Sequence, residues 1–211
     1  MDSGVMTYGG QPVRTLDQAT DEDLLERTLH GEEPAFQALY QRHLATIFRF
    51  AYRMLGSSEH AEDVAHDCFL GLIRNPKRFD PRRGSLRTYL YMAVRNMVYK
   101  RLRRSDLEQP VDEQVDKIPA SGANEPLPRL LAQELRHEVR MSIGKMPPLQ
   151  REVLVLFEYE DQSLAQIADI TGTDIGAIKA RLHRARERLR RDMAGYVNDG
   201  SRKQREHLNH D

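Results

Sequence analysis

The stretch 163-SLAQIADITGTDIGAIKARLHRARERLRR-191 decides how this chain is read. Ser163 is suited to an N-cap, because its hydroxyl can accept from a free backbone N–H of the first turn. Gln166 stands three residues on, so the pair fits a capping box. Leu164, Ile167, Ala168 and Thr171 follow at helical spacing, and Gly172 can take the left-handed conformation that ends a helix. Asp174 can cap the next helix, where Ile175, Ile178, Leu182, Ala185 and Leu189 form one apolar stripe. The other faces hold Lys179, Arg181, Arg184, Arg186, Arg188, Arg190 and Arg191, with His183 among them.

A short helix, a tight turn containing glycine and a second helix make a helix-turn-helix pattern. The second helix of that motif enters the major groove of duplex DNA with its N-terminal residues at the base edges. An ordinary amphipathic hairpin has the same outline. Its exposed face would mix signs, whereas residues 175–193 carry seven basic side chains against Glu187 and Asp192.

The totals bound what surrounds this stretch. The chain has 211 residues, room for one or two domains, and 32 basic residues balance 32 acidic ones. That neutrality conceals segregation along the chain. No apolar run reaches the length of a membrane span and the N-terminus carries no secretory pattern, so no membrane insertion is expected. The single cysteine, Cys68, excludes an internal disulfide and suits a reducing cytosol. Strand signals are almost absent. The expectation is an all-α, cytoplasmic protein.

Residues 1–19 are glycine-containing and aperiodic and are expected to be disordered. Thr20 can cap a helix over 21–30, with Asp21, Glu22 and Asp23 against its positive end. Pro34 suits the first turn of a long helix reaching Leu55, closed by Gly56. Ser57 or Ser58 starts a third helix to Arg74, with Ala61, Val64, Ala65, Cys68, Phe69 and Leu72 on its apolar face and Glu62, Asp63 and Asp67 outside. The segment 75-NPKRFDPRRG-84 reads as a loop. Ser85 can cap a fourth helix to Arg104. From Arg74 to Arg104, eleven basic residues face one acid, with Phe79, Tyr89, Tyr91 and Tyr99 threaded among them. Basic residues neutralise phosphates and aromatic faces can stack unpaired bases. Tyr89 lies on the apolar stripe and reads first as core. Phe79, in the loop, is open to either role.

Residues 105–128 change character: six acids face only Lys117, and four prolines interrupt them. This reads as a flexible acidic linker between domains, and on charge alone as a plain tether. A helix over about 129–143 and another opened by Pro147 and Pro148 lead into the stretch quoted first. Residues 195–211 lose the pattern and are expected to be mobile. The two folded parts, residues 20–104 and 129–194, are small enough to be marginal alone.

No catalytic chemistry is legible. There is no glycine-rich phosphate loop, nucleophile elbow or paired-cysteine motif, so neither an enzyme nor a cofactor is expected. His60 with His66, or His207 with His210, lacks the accompanying ligands of a metal site, so no metal is expected. Cys68 falls on an apolar face and reads as a buried small residue rather than a redox sensor.

Four segments, in this order, resemble the sigma-70 family of bacterial RNA polymerase sigma factors, in its extracytoplasmic-function (ECF) group. DLLERTLHGEEPAFQALYQRHLATIFRFAYRML resembles the family's first helices, AEDVAHDCFLGLIR its polymerase-binding helix, and SLRTYLYMAVRNMVYKRLRR its −10 helix. MPPLQREVLVLFEYEDQSLAQIADITGTDIGAIKARLHRARERLR resembles its −35-binding domain. The resemblance implies a region 2-like helical bundle and a region 4-like helix-turn-helix domain, partnered by core RNA polymerase, promoter DNA and an anti-sigma factor, in a stress-response role.

Carried over by residue, it places Glu62, Asp63 and Asp67 against the polymerase. The loop residues Asn75, Lys77, Arg78 and Phe79 would take up a flipped base of the −10 element. Arg95, Asn96, Lys100, Arg103 and Arg104 would hold the opened strand and upstream duplex. Lys179, Ala180, His183 and Arg184 would meet −35 base edges, with Arg181, Arg186 and Arg188 on phosphates. It also turns the tether into a linker threading the polymerase channel. The chain departs from the family in having no tryptophan near Tyr89, a base at Lys100, no glycine near Asp161, and Asp174 where serine is common. A stand-alone helix-turn-helix regulator is the alternative, but it would not need the basic segment 74–104.

Overall fold

The structure, a computed structural model, describes the backbone of residues 7–8, 11–12, 15–105 and 126–208, and the side chains of 15–104 and 133–194. Its helices are α1 (Asp21–Leu29), α2 (Glu33–Leu55), α3 (Ser58–Arg74), α4 (Leu86–Ser105), α5 (Pro126–Gly144), α6 (Pro148–Glu158), α7 (Leu164–Thr171) and α8 (Ile175–Leu208). A single 3-10 turn spans Pro76–Arg78. Two-residue strands, β1 (Thr7–Tyr8) and β2 (Gln11–Pro12), form an antiparallel hairpin before the helices.

Local chemistry sets the helix ends. Thr20 and Asp23 form a reciprocal capping box at α1, and Ser163 with Gln166 does the same at α7. Ser57 accepts from the His60 amide to cap α3, and Ser85 from the Thr88 amide to cap α4. Gly56 (φ 75°) and Gly172 (φ 64°) end α2 and α7 in the left-handed conformation, which costs glycine no side-chain clash.

Helices α1, α3 and α4 pack around α2. The apolar stripes of these four meet in a core that includes Leu24, Leu39, Ile47, Phe50, Met54, Phe69, Leu72, Leu86 and Leu90. Phe50 meets Tyr91 edge-on, with ring centroids 5.6 Å apart, the arrangement the ring quadrupoles favour. In the second half, α5, α6 and α7 pack on α8, burying Val153, Leu154, Leu156, Ile167, Ile170, Ile178, Leu182 and Ala185. The halves are not apart. Helices α5 and α6 lie on α2, and α7 lies on α4. Arg151 of α6 donates to the Met54 carbonyl at the end of α2 (2.6 Å).

Three places differ from the sequence expectation. In the stretch 1–19, expected to be disordered, residues 7–8 pair with 11–12 and residues 15–19 form a turn with Ala19 buried, where Arg42 donates to the carbonyls of Ala19 (3.1 Å) and Leu16 (3.5 Å). Helix α5 begins at Pro126, inside the expected linker; prolines are tolerated there because the first-turn N–H groups have no helical partner. Residues 106–125 of that linker lie outside the described residues. Helix α8 runs through the expected mobile tail to Leu208, since that segment contains no proline to stop it.

The turn between α6 and α7 holds the one positive-φ residue other than glycine among those described: Asp161, φ 52°. The left-handed conformation costs an L-residue about 1–2 kcal/mol, less for Asp. Asp161→Gly should therefore raise the unfolding free energy by about 0.5 kcal/mol or more, after allowing for glycine's greater freedom in the unfolded chain. Urea unfolding followed by circular dichroism checks this.

Candidate nucleic-acid interface

Helix α8 is held by its apolar side, with Ile178, Leu182 and Ala185 buried beneath it. That orientation leaves Lys179, Ala180, His183 and Arg184 exposed on one outer face. Asp174 caps the helix, accepting from the Ala177 amide (2.9 Å). A Cβ at Gly176 would sit 3.0 Å from the capping carboxylate oxygen, so glycine there leaves the cap its room. The three arginines expected on phosphates are less free. Arg181 is half-buried and donates to the Thr173 hydroxyl (3.5 Å). Arg186 forks onto Glu158 (2.6 and 2.8 Å) and lies over the Phe157 ring. Arg188 is half-buried, and its Nε has no hydrogen-bond partner.

The basic segment 74–104 forms the second surface. In the loop, Asn75, Lys77 and Arg78 are exposed, while Phe79 is half-buried with its ring tilted against Tyr89 (centroids 5.7 Å). Phe79 also lines a pocket of about 280 Å³ with Glu22, Leu25, Glu26, Leu29, Pro76 and Pro81. On α4, Asn96, Lys100, Arg103 and Arg104 are exposed. Arg95 is not free. Its Nε donates to Glu152 of α6, and its guanidinium lies over the Tyr99 ring (4.9 Å). The Tyr99 hydroxyl donates to the other oxygen of Glu152 (3.0 Å).

A second carboxylate bridges the halves in the same manner. Glu160 accepts from Arg53 (3.0 Å), Arg49 (3.4 Å) and the Tyr91 hydroxyl (3.2 Å). The Glu152 and Glu160 side chains are both fully shielded from solvent. Burial pushes the Glu152 carboxyl above the ordinary range, with Arg95 pulling it back. Burial likewise raises Glu160 against the pull of Arg49 and Arg53, and lowers Arg53. Sequence reasoning assigned no role to Glu152, Glu160, Arg49 or Arg53. The available signal was Glu152 itself, a carboxylate at the head of the apolar run 153-VLVLF-157.

Residues 39–108 match the Sigma-70 region 2 family model and residues 136–189 the Sigma-70 region 4 model, together more than half the chain. The chain belongs to the sigma-70 family. It is 29% identical over 178 residues to the ECF RNA polymerase sigma factor SigW of Bacillus subtilis, covering 80% of this chain and 94% of that protein. It is 29% identical over 195 residues to the ECF sigma factor SigM of Mycobacterium tuberculosis, covering 92% and 91%. Among solved structures, the sigma factor RpoE of Bartonella quintana, in complex with the anti-sigma factor NepR, has the same fold. Its TM-score is 0.61 at 24% identity, over 75% of this chain and 96% of that one.

The region 2 match takes in most of α2 with α3 and α4, and the region 4 match runs from α5 into α8; region 2 and region 4 denote the helical halves α1 to α4 and α5 to α8. The acidic face of α3 in region 2 is exposed at Glu62, Asp63 and Asp67, with Leu70 also outward. Asp63 accepts from Arg101 (3.2 Å), and Glu62 from the Ser58 hydroxyl (3.5 Å). Cys68 is buried against the Leu90 carbonyl, and burial pushes its thiol up to about 12, leaving it without thiolate character. The described residues hold no cluster of three metal-ligating side chains, and His66 instead stacks on Tyr40. The side chains of His207 and His210 lie outside the described residues.

Asp174→Ala should cost region 4 about 1 kcal/mol by leaving first-turn amides uncapped, and Asp174→Ser should restore nearly all of it. Thermal unfolding of the three proteins at one pH measures the difference.

Proposed function

We infer that this protein is a non-enzymatic, dissociable subunit that binds core RNA polymerase and directs it to promoters. Region 4 reads the −35 duplex, and region 2 captures the opened −10 strand. The observation that carries this reading is the pairing of two separate cationic surfaces, each suited to one form of DNA. Face 179–184 of α8 stands clear of the protein on a rigid helix, as major-groove readout requires. The segment 75–104 combines exposed basic side chains, an exposed loop and a pocket with Phe79 in its wall, which suits unstacked bases.

The proposed roles follow exposure. Lys179, Ala180, His183 and Arg184 meet base edges. Asn96, Lys100, Arg103 and Arg104 track the strand, and Asn75, Lys77, Arg78 and Phe79 surround the captured base. Glu62, Asp63 and Asp67, with Leu70 among them, supply the acidic surface for polymerase. Arg95 joins the strand contacts once released from Glu152, and Arg181, Arg186 and Arg188 supply long-range positive field more than direct phosphate bonds. Solved relatives of this fold carry anti-sigma factors, and a protein of that kind is the proposed cytoplasmic regulator here. A stand-alone helix-turn-helix regulator would leave region 2 without a task.

Purified protein added to core polymerase should start transcription at defined sites on promoter-bearing templates. Specific duplex binding without any association with core polymerase would overturn the reading. Within it, Arg184→Ala should cost about 1–3 kcal/mol of −35 binding and relax preference at one base pair. A competition assay across point-substituted −35 duplexes resolves this, since an equal loss on every duplex marks a phosphate contact. Phe79→Ala should slow open-complex formation and leave closed-complex binding nearly unchanged; the rate at which promoter thymines become reactive to permanganate reads out the opening step.

A further inference from the structure

We propose that Ile175 is a base-reading side chain of region 4, set to contact the methyl group of a thymine in the major groove of the −35 duplex. The proposal rests on the reading of α8 given above and adds a contact that its charged residues cannot make. Periodicity puts Ile175 at the head of the apolar stripe of α8, followed by Ile178, Leu182 and Ala185. The structure takes it out of that stripe. Ile178 and Ala185 are fully buried and Leu182 is 5% exposed, whereas Ile175 keeps 44% of its surface in solvent.

An exposed aliphatic side chain is ordinary on a protein surface. What sets this one apart is its position. Ile175, Lys179 and His183 follow one another at steps of four and are all exposed, so Ile175 belongs to the face that meets DNA. It is also the first residue of α8. Helical side chains lean toward the N-terminus of their helix, so the first one projects past the end of the cylinder. A recognition helix enters the groove by its N-terminal residues, which carries this side chain deepest. Gly176, exposed beside it, brings no side chain that would hold the backbone off the bases.

The neighbours also exclude a phosphate as the ligand of Ile175. Asp174, exposed and one residue before it, accepts from the Ala177 amide (2.9 Å) and places a carboxylate at that end of the helix. The first basic residue of α8, Lys179, stands a turn further on. A backbone phosphate is therefore repelled where Ile175 lies, and the groove floor is what remains. Among the base edges there, the C5 methyl of thymine is the apolar one; the other edge groups are donors and acceptors that an aliphatic side chain would leave unpaired. One helical turn rises about 5.4 Å and one base step about 3.4 Å, so this thymine lies no more than about two base pairs from the pair met by Lys179.

The test uses wild-type, Ile175→Val and Ile175→Ala protein, each assembled with core polymerase, on a promoter from which the wild type initiates. Each −35 thymine, on either strand, is replaced in turn by uracil, which removes the methyl group and keeps every hydrogen-bonding edge. At one thymine, uracil should weaken closed-complex binding by the wild type about three- to fivefold, the worth of one buried methyl group, and leave Ile175→Ala unchanged. On the unmodified promoter Ile175→Ala should lose the same factor, and Ile175→Val less. Alanine favours helix and the site is exposed, so the variant should fold, and its affinity for core polymerase should equal that of the wild type. Identical uracil penalties in wild type and Ile175→Ala at every thymine would overturn the proposal, as would a loss of core-polymerase affinity that accounts for the whole effect of Ile175→Ala. Failure of the wild type to initiate with core polymerase overturns the sigma reading instead. The same uracil scan, made with the free protein on duplexes it selects from a random pool, then decides the role of Ile175 by the same criterion.

Discussion

Helix α2 is the constraint on which both halves depend. One side of this 23-residue helix supplies Leu39, Ile47, Phe50 and Met54 to the region 2 core. Another side carries Arg49 and Arg53 to Glu160, and its C-terminal carbonyl at Met54 receives Arg151. A helix this long can serve two partners because 3.6 residues per turn separate its faces cleanly. Removing Phe50 would loosen the wall against which Tyr91 stands, and Tyr91 is itself a donor to Glu160. Core packing in one domain is thereby tied to docking of the other.

Small helical domains of this kind bury too little surface to be robust alone. Packing of α5 and α6 on α2, and of α7 on α4, offsets that shortage. Buried apolar residues of both halves form one cluster, and across it run arginine and tyrosine hydrogen bonds to carboxylates, groups that water would also satisfy. An apolar interface of similar extent would stabilise more and release less readily.

Local features were legible in the sequence to the extent that neighbours determine them. The caps at Thr20, Ser57, Ser85, Ser163 and Asp174, the glycine stops and the apolar stripes all depend on residues within four positions of each other. The exposed half of the candidate interface, from Lys179 to Arg184 and from Asn96 to Arg104, was legible for the same reason. What escaped was long-range. Nothing within ten residues of Glu160 predicts its pairing with Arg53, more than a hundred positions away. Periodicity alone places Arg95 on a DNA-facing surface, and it cannot reveal that Glu152 holds it. Charge alone makes Arg181 and Arg188 read as outward, yet both are half-buried. Asp161 shows a milder miss, since the left-handed turn persists without the glycine that usually makes it.

Twenty residues of sequence separate α4 from α5. Such a tether spans at most about 70 Å when fully extended, so region 4 never leaves the neighbourhood of region 2. Tethering of this kind gives a local concentration in the millimolar range. A contact with a dissociation constant near 1 mM, about −4 kcal/mol, is then already half closed. The same contact between two free molecules would go undetected at cellular concentrations. The covalent connection thus lets a contact too weak for two free molecules still hold the two halves together.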